Sequence, residues 1–118
     1  LENFARHLKP GGVLIIEPWF TPSTFKPGWP HVTTYDSKEI KISRLTVSKQ
    51  KGSVSIMDMN YLIAEKNKEV LHFIDRHELG LFEIKETLKI MRDAGFSSEF
   101  KKDGLMKDRG LYICKKPL

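Results

Sequence analysis

A helix, a glycine turn and an apolar strand follow one another at the start of the chain, and this order constrains the fold more than any other feature. Leu1, Phe4, Ala5 and Leu8 have the i, i+3, i+4, i+7 spacing of one helix face. The Lys-Pro-Gly-Gly sequence at 9–12 ends that helix. The Val-Leu-Ile-Ile run that follows is apolar without alternation, which is typical of a central strand buried on both faces of a parallel sheet. The chain therefore begins as part of an α/β fold.

The remaining segments complete one domain in four parts. With 118 residues the chain is long enough for one modest core, and we expect a single, incomplete domain over 1–118. Residues 1–18 hold the first helix and strand, and the segment 19–39, rich in proline and aromatic residues, is predicted as a loop. Residues 40–79 are predicted as an antiparallel meander and 80–118 as a helix with a terminal β-hairpin. The meander strands are predicted at 40–49, 54–64 and 70–79.

Residue spacing within the meander and the second helix gives finer predictions. Met57, Met59, Tyr61 and Ile63 alternate and should share one face of the middle strand. In the first strand the apolar positions shift parity, which predicts a β-bulge near 43–44. The second helix is predicted to end at the Asp-Ala-Gly-Phe sequence, because glycine is favoured just after the C-terminus of a helix.

Composition limits the class of protein. The net charge of +5 and pI near 9.4 favour anionic partners, although a solvated basic surface explains the scattered lysines better than a binding stripe does. The single cysteine, Cys114, lies among apolar residues and predicts a buried side chain in a reducing cytoplasm. No apolar run approaches the length needed to cross a bilayer, so we expect no membrane association. The chain opens without Met inside a helical pattern, and we expect a preceding segment.

Two motifs at opposite ends of the chain carry a family resemblance. The Leu-Lys-Pro-Gly-Gly turn at 8–12 and the Ala-Gly-Phe sequence at 94–96 occur in the order and separation found in class I S-adenosylmethionine-dependent methyltransferases, and the chain resembles the C-terminal half of that family. In the family the turn leads into the fifth strand of the sheet, and Ala-Gly-Phe ends the helix between the fifth and sixth strands. The resemblance implies an α/β fold: the C-terminal portion of a Rossmann-like seven-stranded methyltransferase sheet, with an antiparallel β-meander insertion.

The middle of the chain narrows the resemblance to one group within the family. The chain is similar to the N-methyltransferases that act on nucleotide-linked deoxyaminosugars at Glu17, Pro18, Trp19, Phe20, Phe25, Gly28, Arg44, His72, Phe73, His77, Leu81, Phe82, Arg109, Gly110 and Leu111. This implies a small-molecule acceptor, such as the amine of a nucleotide-linked sugar, and an insertion that covers the substrate pocket.

The segments with which the family holds its cofactor are not in this sequence. They are a glycine-rich loop after the first strand, an acidic residue ending the second, and residues after the fourth. The paired glycines at 11–12 already form the turn before the apolar strand. We therefore expect S-adenosylmethionine to be the cofactor of the complete enzyme and not to bind this chain alone.

Three candidate site residues flank the first and last strands. Glu17 follows the carboxyl end of a strand, where ligands gather in α/β sheets, and is a candidate to orient the acceptor or take its proton; alternatively an arginine or backbone amide holds its carboxylate. Trp19 is a candidate wall of the substrate pocket, or part of a small satellite core. Arg109 is a candidate to grip a phosphate, or to pair with Asp103 or Asp108.

The remaining candidates lie in the loop and the meander. His31 is the favoured general base because imidazole titrates near neutrality, although an exposed surface histidine is the simpler alternative. His72 and His77 are five residues apart on an extended segment, so they face opposite sides and cannot pair on a metal; no metal site is predicted. The resemblance makes His77 a substrate-binding candidate. Arg44 and Tyr61 join it if the meander covers the pocket.

Two further hypotheses concern partners. A basic α+β module that binds nucleic acid or nucleotides without catalysis is the alternative function, with Trp29, Tyr35 and Tyr61 stacking on bases. It ranks second because the aromatic residues are not interleaved with basic ones along a strand face. We also expect a homodimer, because half of a sheet exposes a strand edge and an apolar helix face.

Overall fold

The computed structural model describes all 118 residues, and their contacts divide the chain into two compact units. Unit 1 comprises Leu1–Phe25 and Leu81–Leu118, and unit 2 comprises Lys26–Gly80. The sequence prediction had placed all of these residues in one domain. In chain order the elements are α1 (Glu2–His7), β1 (Val13–Ile16), β2 (Pro30–Asp36), β3 (Ile40–Val47), β4 (Lys49–Lys51), β5 (Val54–Glu65), β6 (Leu71–Gly80), α2 (Ile84–Asp93), β7 (Ser97–Lys101) and β8 (Leu111–Lys115).

The sheet of unit 1 has three antiparallel strands in the order β1-β8-β7. β7 and β8 pair as the predicted hairpin, and β8 continues the sheet to β1. β1 was predicted to be a central strand buried on both faces, but in this chain it is an edge strand. Val13 and Ile15 are 52% and 59% exposed, because no second strand pairs with β1 and only one face of it is packed.

The core of unit 1 lies between the sheet and α2. Met91, Phe96, Tyr112 and Cys114 form its buried cluster, and the Cys114 thiol lies 3.4 Å from the Met91 sulfur. Burial raises the pKa of the Tyr112 hydroxyl. The prediction that Cys114 fills the core is therefore confirmed, since its side chain is fully buried. Neither helix is long and apolar enough to cross a bilayer.

The glycine turn that ends α1 is tied to the last strand. The Gly11 amide donates to the Lys116 carbonyl at 3.0 Å, and the Lys116 amide donates to the Gly12 carbonyl at 2.9 Å. The Lys116 ammonium also donates to the carbonyls of Ala5 (2.6 Å) and Leu8 (2.8 Å), which α1 leaves unpaired at its C-terminal end. Gly11 has φ +78°, a left-handed conformation that favours glycine. The turn thus has a structural role.

Unit 2 is a single antiparallel sheet. The strands β2, β3, β5 and β6 pair successively, and the short β4 pairs with the beginning of β5. The predicted bulge at 43–44 is wrong. β3 and β4 pair with β5 in one continuous register, so no residue is inserted, and Leu45 and Val47 are exposed on the face opposite Ile40 and Ile42.

The segment predicted as a loop at 19–39 contains a strand. Pro30–Asp36 forms β2, the edge strand that pairs with β3. Pro30 is followed by one histidine and then by Val, Thr, Thr and Tyr at 32–35. These residue types are strong strand formers. The prolines suggested a loop, but Pro30 occupies the first position of an edge strand, where proline is tolerated.

Candidate functional site

Unit 1 brings together three of the predicted site residues. Glu17 follows β1 and Arg109 precedes β8, and because these strands are antiparallel neighbours, the two residues meet at the same end of the sheet. The Arg109 guanidinium lies 2.8 Å from the Glu17 carboxylate and donates through Nε to the Pro18 carbonyl at 2.8 Å. Its central carbon lies 5.1 Å from the centre of the Trp19 ring, within cation–π range.

This ion pair is shielded from solvent. The Arg109 and Glu17 side chains are only 16% and 22% exposed. Arg109 therefore pairs with neither Asp103 nor Asp108, the partners predicted as its alternative, and Glu17 is a carboxylate held by an arginine. Trp19 covers the guanidinium and stacks edge-on against Phe20, with ring centres 4.9 Å apart. The cluster can present a cation, a carboxylate and an aromatic face to one ligand.

A cleft of about 620 Å³ adjoins Arg109. The Thr21 hydroxyl lies 3.1 Å from the Ser23 hydroxyl and 3.0 Å from that of Thr24. Hydroxyl and cationic groups on one cleft suit a ligand with several anionic or hydroxyl oxygens. These hydroxyl residues were not among the predicted site residues; the available signal was a Thr-Pro-Ser-Thr run shortly after a strand end. The polar residues lining the cleft are Thr21, Ser23, Thr24, Lys102, Asp103, Lys107, Asp108 and Arg109.

Two glycines fix the loop that carries Arg109. A Cβ atom on Gly104 would lie 2.3 Å from the Gly110 carbonyl oxygen, and one on Gly110 would lie 2.2 Å from Cζ of Phe100. Gly110 also has φ +71°. The two ends of the loop therefore touch where no side chain fits, and this close approach sets the position of Arg109.

Unit 2 places its four predicted site residues on one face of the sheet. Because side chains alternate along a strand and paired residues share a face, the register puts Arg44 opposite both Thr33 and Tyr61, and Tyr61 opposite Phe73. His31 and His77 have the same parity. We call this surface the Arg44 face; it includes His31, Thr33, Arg44, Tyr61, Phe73, Asp75 and His77.

The residues of the Arg44 face differ in the contacts that their side chains make. The Tyr61 and Phe73 rings are stacked, with centres 4.8 Å apart and planes at 10°. Arg44 donates to the Thr33 hydroxyl at 3.2 Å and forms no ion pair, whereas His77 Nε2 lies 2.9 Å from an Asp75 carboxylate oxygen.

His31 lies at the opposite edge of this sheet from His77. It is exposed on β2, three strand spacings or about 14 Å from the strand of His77. The two histidines therefore cannot act on the same acceptor atom.

The opposite face of this sheet has a different character. His72 lies there, 3.4 Å from the Asn60 side-chain oxygen, so the two histidines of β6 do face opposite sides. Arg76 donates to the Asp58 carboxylate through two of its guanidinium nitrogens, Nε at 2.6 Å and Nη2 at 2.8 Å. The hydrogen bonds from Arg76 lower the pKa of Asp58, and the pair raises the pKa of Arg76. Exposed aliphatic side chains cover much of the remainder: Val32, Leu45, Val47, Leu62 and Ile74.

The structure contains no group of three or more histidine, cysteine, aspartate or glutamate side chains able to hold a metal ion.

Comparison with known proteins gives a consistent result in sequence and structure. No family model matches the chain. It is 33% identical over 113 residues, 96% of its length, to the dTDP-3-amino-3,4,6-trideoxy-alpha-D-glucopyranose N,N-dimethyltransferase of Streptomyces venezuelae, of which it covers 47%. The chain spans about half the length of the curated relatives it matches.

Solved structures extend this similarity to the fold. The sugar N-methyltransferase KedS8 from Streptoalloteichus matches with a TM-score of 0.90 and 32% identity, over 99% of this chain and 47% of that one. The S-adenosylmethionine-bound amino pentose methyltransferase CalS10 from Micromonospora echinaspora, involved in calicheamicin biosynthesis, matches with a TM-score of 0.86 and 26% identity, over 98% of this chain and 48% of that one. The fold predicted from the two end motifs, a portion of a methyltransferase with an antiparallel insertion, is confirmed.

Proposed function

We propose that this chain, which is homologous to one half of the S-adenosylmethionine-dependent sugar N-methyltransferases, binds the acceptor in a methyl transfer to the amine of a nucleotide-linked sugar. The observation that carries the proposal is the similarity over 95% or more of the chain to three dTDP-aminosugar N,N-dimethyltransferases. The shielded cluster of Glu17, Trp19 and Arg109 supports it, because that cluster offers the groups such an acceptor needs.

The chemistry defines what an acceptor-binding half must supply. The lone pair of a neutral amine attacks the sulfonium methyl carbon in line, the carbon–sulfur bond breaks with its electrons going to sulfur, and the amine then loses a proton. Such a displacement depends on proximity and orientation more than on covalent help from the protein. The residues of this chain therefore need to fix the sugar amine, bind the phosphates and accept one proton.

The cofactor is proposed to bind in the complete enzyme and not to this chain alone. S-adenosylmethionine supplies the methyl group when bound. The one paired-glycine sequence in the chain does not fit as its binding loop, because the Gly12 amide donates within the turn to the Lys9 carbonyl and the Gly11 amide donates to the Lys116 carbonyl after the last strand. A side chain on Gly12 would also meet the Lys9 carbonyl at 2.8 Å, which shows a turn closed on itself.

In unit 1, Arg109 is proposed to bind a substrate phosphate and Glu17 to orient the acceptor amine. The guanidinium already has a carboxylate partner at 2.8 Å. The oxygens of a diphosphate can compete with the Glu17 carboxylate for hydrogen bonds from the planar Arg109 guanidinium. When Arg109 turns to the phosphate, the Glu17 carboxylate becomes available to accept a hydrogen bond from the amine. Trp19 forms the wall against which the sugar packs.

In unit 2, His31 is proposed as the base that takes the amine proton, and Arg44, Tyr61 and His77 as acceptor-binding residues. The exposed imidazole of His31 forms no hydrogen bond with another side chain, so it is available to a ligand. The common face of these four residues supports their assignment to one binding surface.

The proposal is tested by titrating the chain with a dTDP-linked 3-amino sugar. In a Trp29→Phe background the tryptophan fluorescence reports Trp19 alone, since the chain has two tryptophans. We expect a saturable change that Arg109→Gln weakens at least tenfold, corresponding to the loss of a charge-assisted hydrogen bond of about 1.5–3 kcal/mol. Arg92→Gln, on α2, is the matched control. Wild-type protein that does not bind the sugar, or equal loss in both variants, contradicts the proposal.

We also propose an oligomeric state and a cellular location for the protein. A homodimer through the exposed strand edges follows from the unpaired edges of β1, β2 and β6. A cytoplasmic location fits a single buried thiol that forms no disulfide.

A further inference from the structure

The thioether of Met106 lies against the Arg109 guanidinium. The Met106 sulfur is 3.0 Å from Nη1 of Arg109. One backbone turn holds the two residues together, because the Arg109 amide donates to the Met106 carbonyl at 3.4 Å and Asp108 between them has a left-handed φ of +63°. The contact is therefore built into the loop that carries Arg109.

The three nitrogens of this guanidinium differ in the strength of their acceptors. Nε donates to the Pro18 carbonyl and Nη2 to the Glu17 carboxylate, both at 2.8 Å. The acceptor of Nη1 is the Met106 sulfur, and a thioether is a weak acceptor. Met106 and Arg109 both line the cleft of about 620 Å³. An anion in this cleft therefore gains Nη1 by displacing the weakest of the three acceptors.

Met106 is also the methionine most accessible to a dissolved oxidant. Its exposed fraction is 54%, whereas that of Met91 is 1%. Met57 and Met59 are half-buried in the sheet of unit 2, and the Cys114 thiol is fully buried. Because the oxidation of sulfur side chains depends on their exposure, a peroxide in solution reaches Met106 before the other sulfur atoms.

We propose that Met106 is a site of reversible oxidation to methionine sulfoxide, and that this modification controls the binding of a phosphate by Arg109. The proposal rests on the function proposed above, in which Arg109 binds a substrate phosphate. With hydrogen peroxide as oxidant, the sulfur lone pair attacks one peroxide oxygen and the oxygen–oxygen bond breaks. The proton of the transferred oxygen goes to the departing hydroxide, so sulfur is oxidised by two electrons and the peroxide is reduced to water.

The added oxygen changes what Nη1 can offer to a ligand. A sulfoxide is polar where the thioether is apolar, and its oxygen is a much stronger acceptor than sulfur. The guanidinium then donates a charge-assisted hydrogen bond to that oxygen, which an incoming anion has to break. The same oxygen carries partial negative charge at the lining of the cleft and repels a phosphate. Both effects weaken phosphate binding in the oxidised protein.

The test compares the 118-residue chain before and after limited treatment with hydrogen peroxide. Peptide mass spectrometry locates each added oxygen, and calorimetry measures the binding of inorganic pyrophosphate. We expect Met106 to gain one oxygen before Met91 does, and pyrophosphate binding to weaken about tenfold, which corresponds to about 1.4 kcal/mol. Methionine sulfoxide reductases, which return the sulfoxide to the thioether, should restore the original affinity.

Two variants assign the effect to one sulfur atom. Met106→Leu keeps an apolar side chain of similar size without sulfur, so the ratio of its affinities before and after peroxide should be one. Met59→Leu is the matched control, because it removes a methionine of unit 2 and leaves Met106 in place. It should weaken on treatment as the wild type does. Thermal melting before and after treatment shows whether each protein remains folded.

Failure of the oxidation site and failure of the proposed function are distinguishable. The oxidation site is wrong if Met106 is fully oxidised while the affinity for pyrophosphate is unchanged, or if Met106→Leu weakens on treatment as much as the wild type. Either result leaves the proposed function intact. Untreated protein that binds the amino sugar but not pyrophosphate contradicts the phosphate role of Arg109 and the oxidation site with it. If the untreated protein binds neither ligand, the proposed function is wrong as well.

Discussion

At the scale of single residues, the position of Arg109 depends on a glycine that tolerates no side chain. Gly110 combines φ +71° with a site where a Cβ would lie 2.2 Å from the Phe100 ring. Its neighbour Arg109 contacts Glu17, Pro18 and Trp19. A change at Gly110 therefore affects both stability and the acceptor cluster.

We predict that Gly110→Ala destabilises the protein by about 2–4 kcal/mol, since it adds a steric clash to backbone strain. Denaturant unfolding measures the effect. Gly52→Ala is the control, because Gly52 has φ +58° but no atom within 4 Å of a built Cβ. It should lose only about 1 kcal/mol, the cost of the left-handed backbone. Equal losses in the two variants would show that the contact with Phe100 is relieved without cost.

The partner of Arg109 could not be predicted from the sequence. The Glu17 and Arg109 pair joins residues at opposite ends of the chain, and nothing in the local sequence distinguishes Glu17 from Asp108 as the partner of Arg109. Only the antiparallel pairing of β1 with β8 selects it. By contrast, the opposite orientations of His72 and His77 follow from strand alternation alone, which sequence spacing states directly.

At the scale of elements, the first helix is held by a distant lysine. Lys116 donates to two carbonyls at the C-terminal end of α1, at 2.6 and 2.8 Å. We predict that Lys116→Met lowers the free energy of unfolding by about 1–2 kcal/mol, through loss of these charge-assisted bonds at a helix C-terminus. The exposed neighbour Lys115→Met should change it by less than about 0.5 kcal/mol. Thermal unfolding of both variants measures these changes. Equal losses of stability in Lys116→Met and Lys115→Met would contradict the role of Lys116 in capping α1.

The pairing of β5 with β6 is predicted to weaken in acid. Arg76 lowers the pKa of Asp58, so the ionised pair stabilises the sheet above the ordinary pKa of aspartate, near 3.9, and that contribution is lost as the pH falls through the lowered value. The melting temperatures of wild type and Asp58→Asn should differ at pH 7 and converge as the pH falls below the lowered pKa of Asp58. A difference that is constant with pH would exclude this pair as its source.

The elements were predicted well where periodicity was regular and poorly where two signals conflicted. The meander strands and α2 follow from alternation and helical spacing. β2 was missed because the prolines around it are also typical of loops, and proline is compatible with the start of an edge strand. The shifted apolar parity in β3 suggested a bulge, whereas the sheet has exposed apolar side chains on both faces and no inserted residue.

At the scale of the whole molecule, open strand edges predict self-association. β2 and β6 are edge strands of the five-stranded sheet, and β1 is an edge of the other. Nine of the ten residues of β6 are exposed. We predict a homodimer by light scattering, reduced to monomer when a lysine replaces Val32 or Ile74 on the aliphatic face. A monomer in the wild type at high concentration would refute this prediction.

The similarity of the fold to methyltransferases was predictable from two short motifs at the ends of the chain, because each one marks a turn that the fold requires. The Lys-Pro-Gly-Gly turn ends α1 with Gly11 in a left-handed conformation, and the glycine after Ala94 ends α2 with φ +92°. The division into two units was not predictable, because it depends on which elements contact each other.

We propose that this chain holds the acceptor side of a sugar N-methyltransferase. Calorimetry of residues 1–118 with a dTDP-linked amino sugar and, separately, with S-adenosylmethionine tests it most directly. We predict saturable binding of the amino sugar and no micromolar binding of S-adenosylmethionine. Micromolar binding of S-adenosylmethionine by this chain, or no binding of the amino sugar, would contradict it.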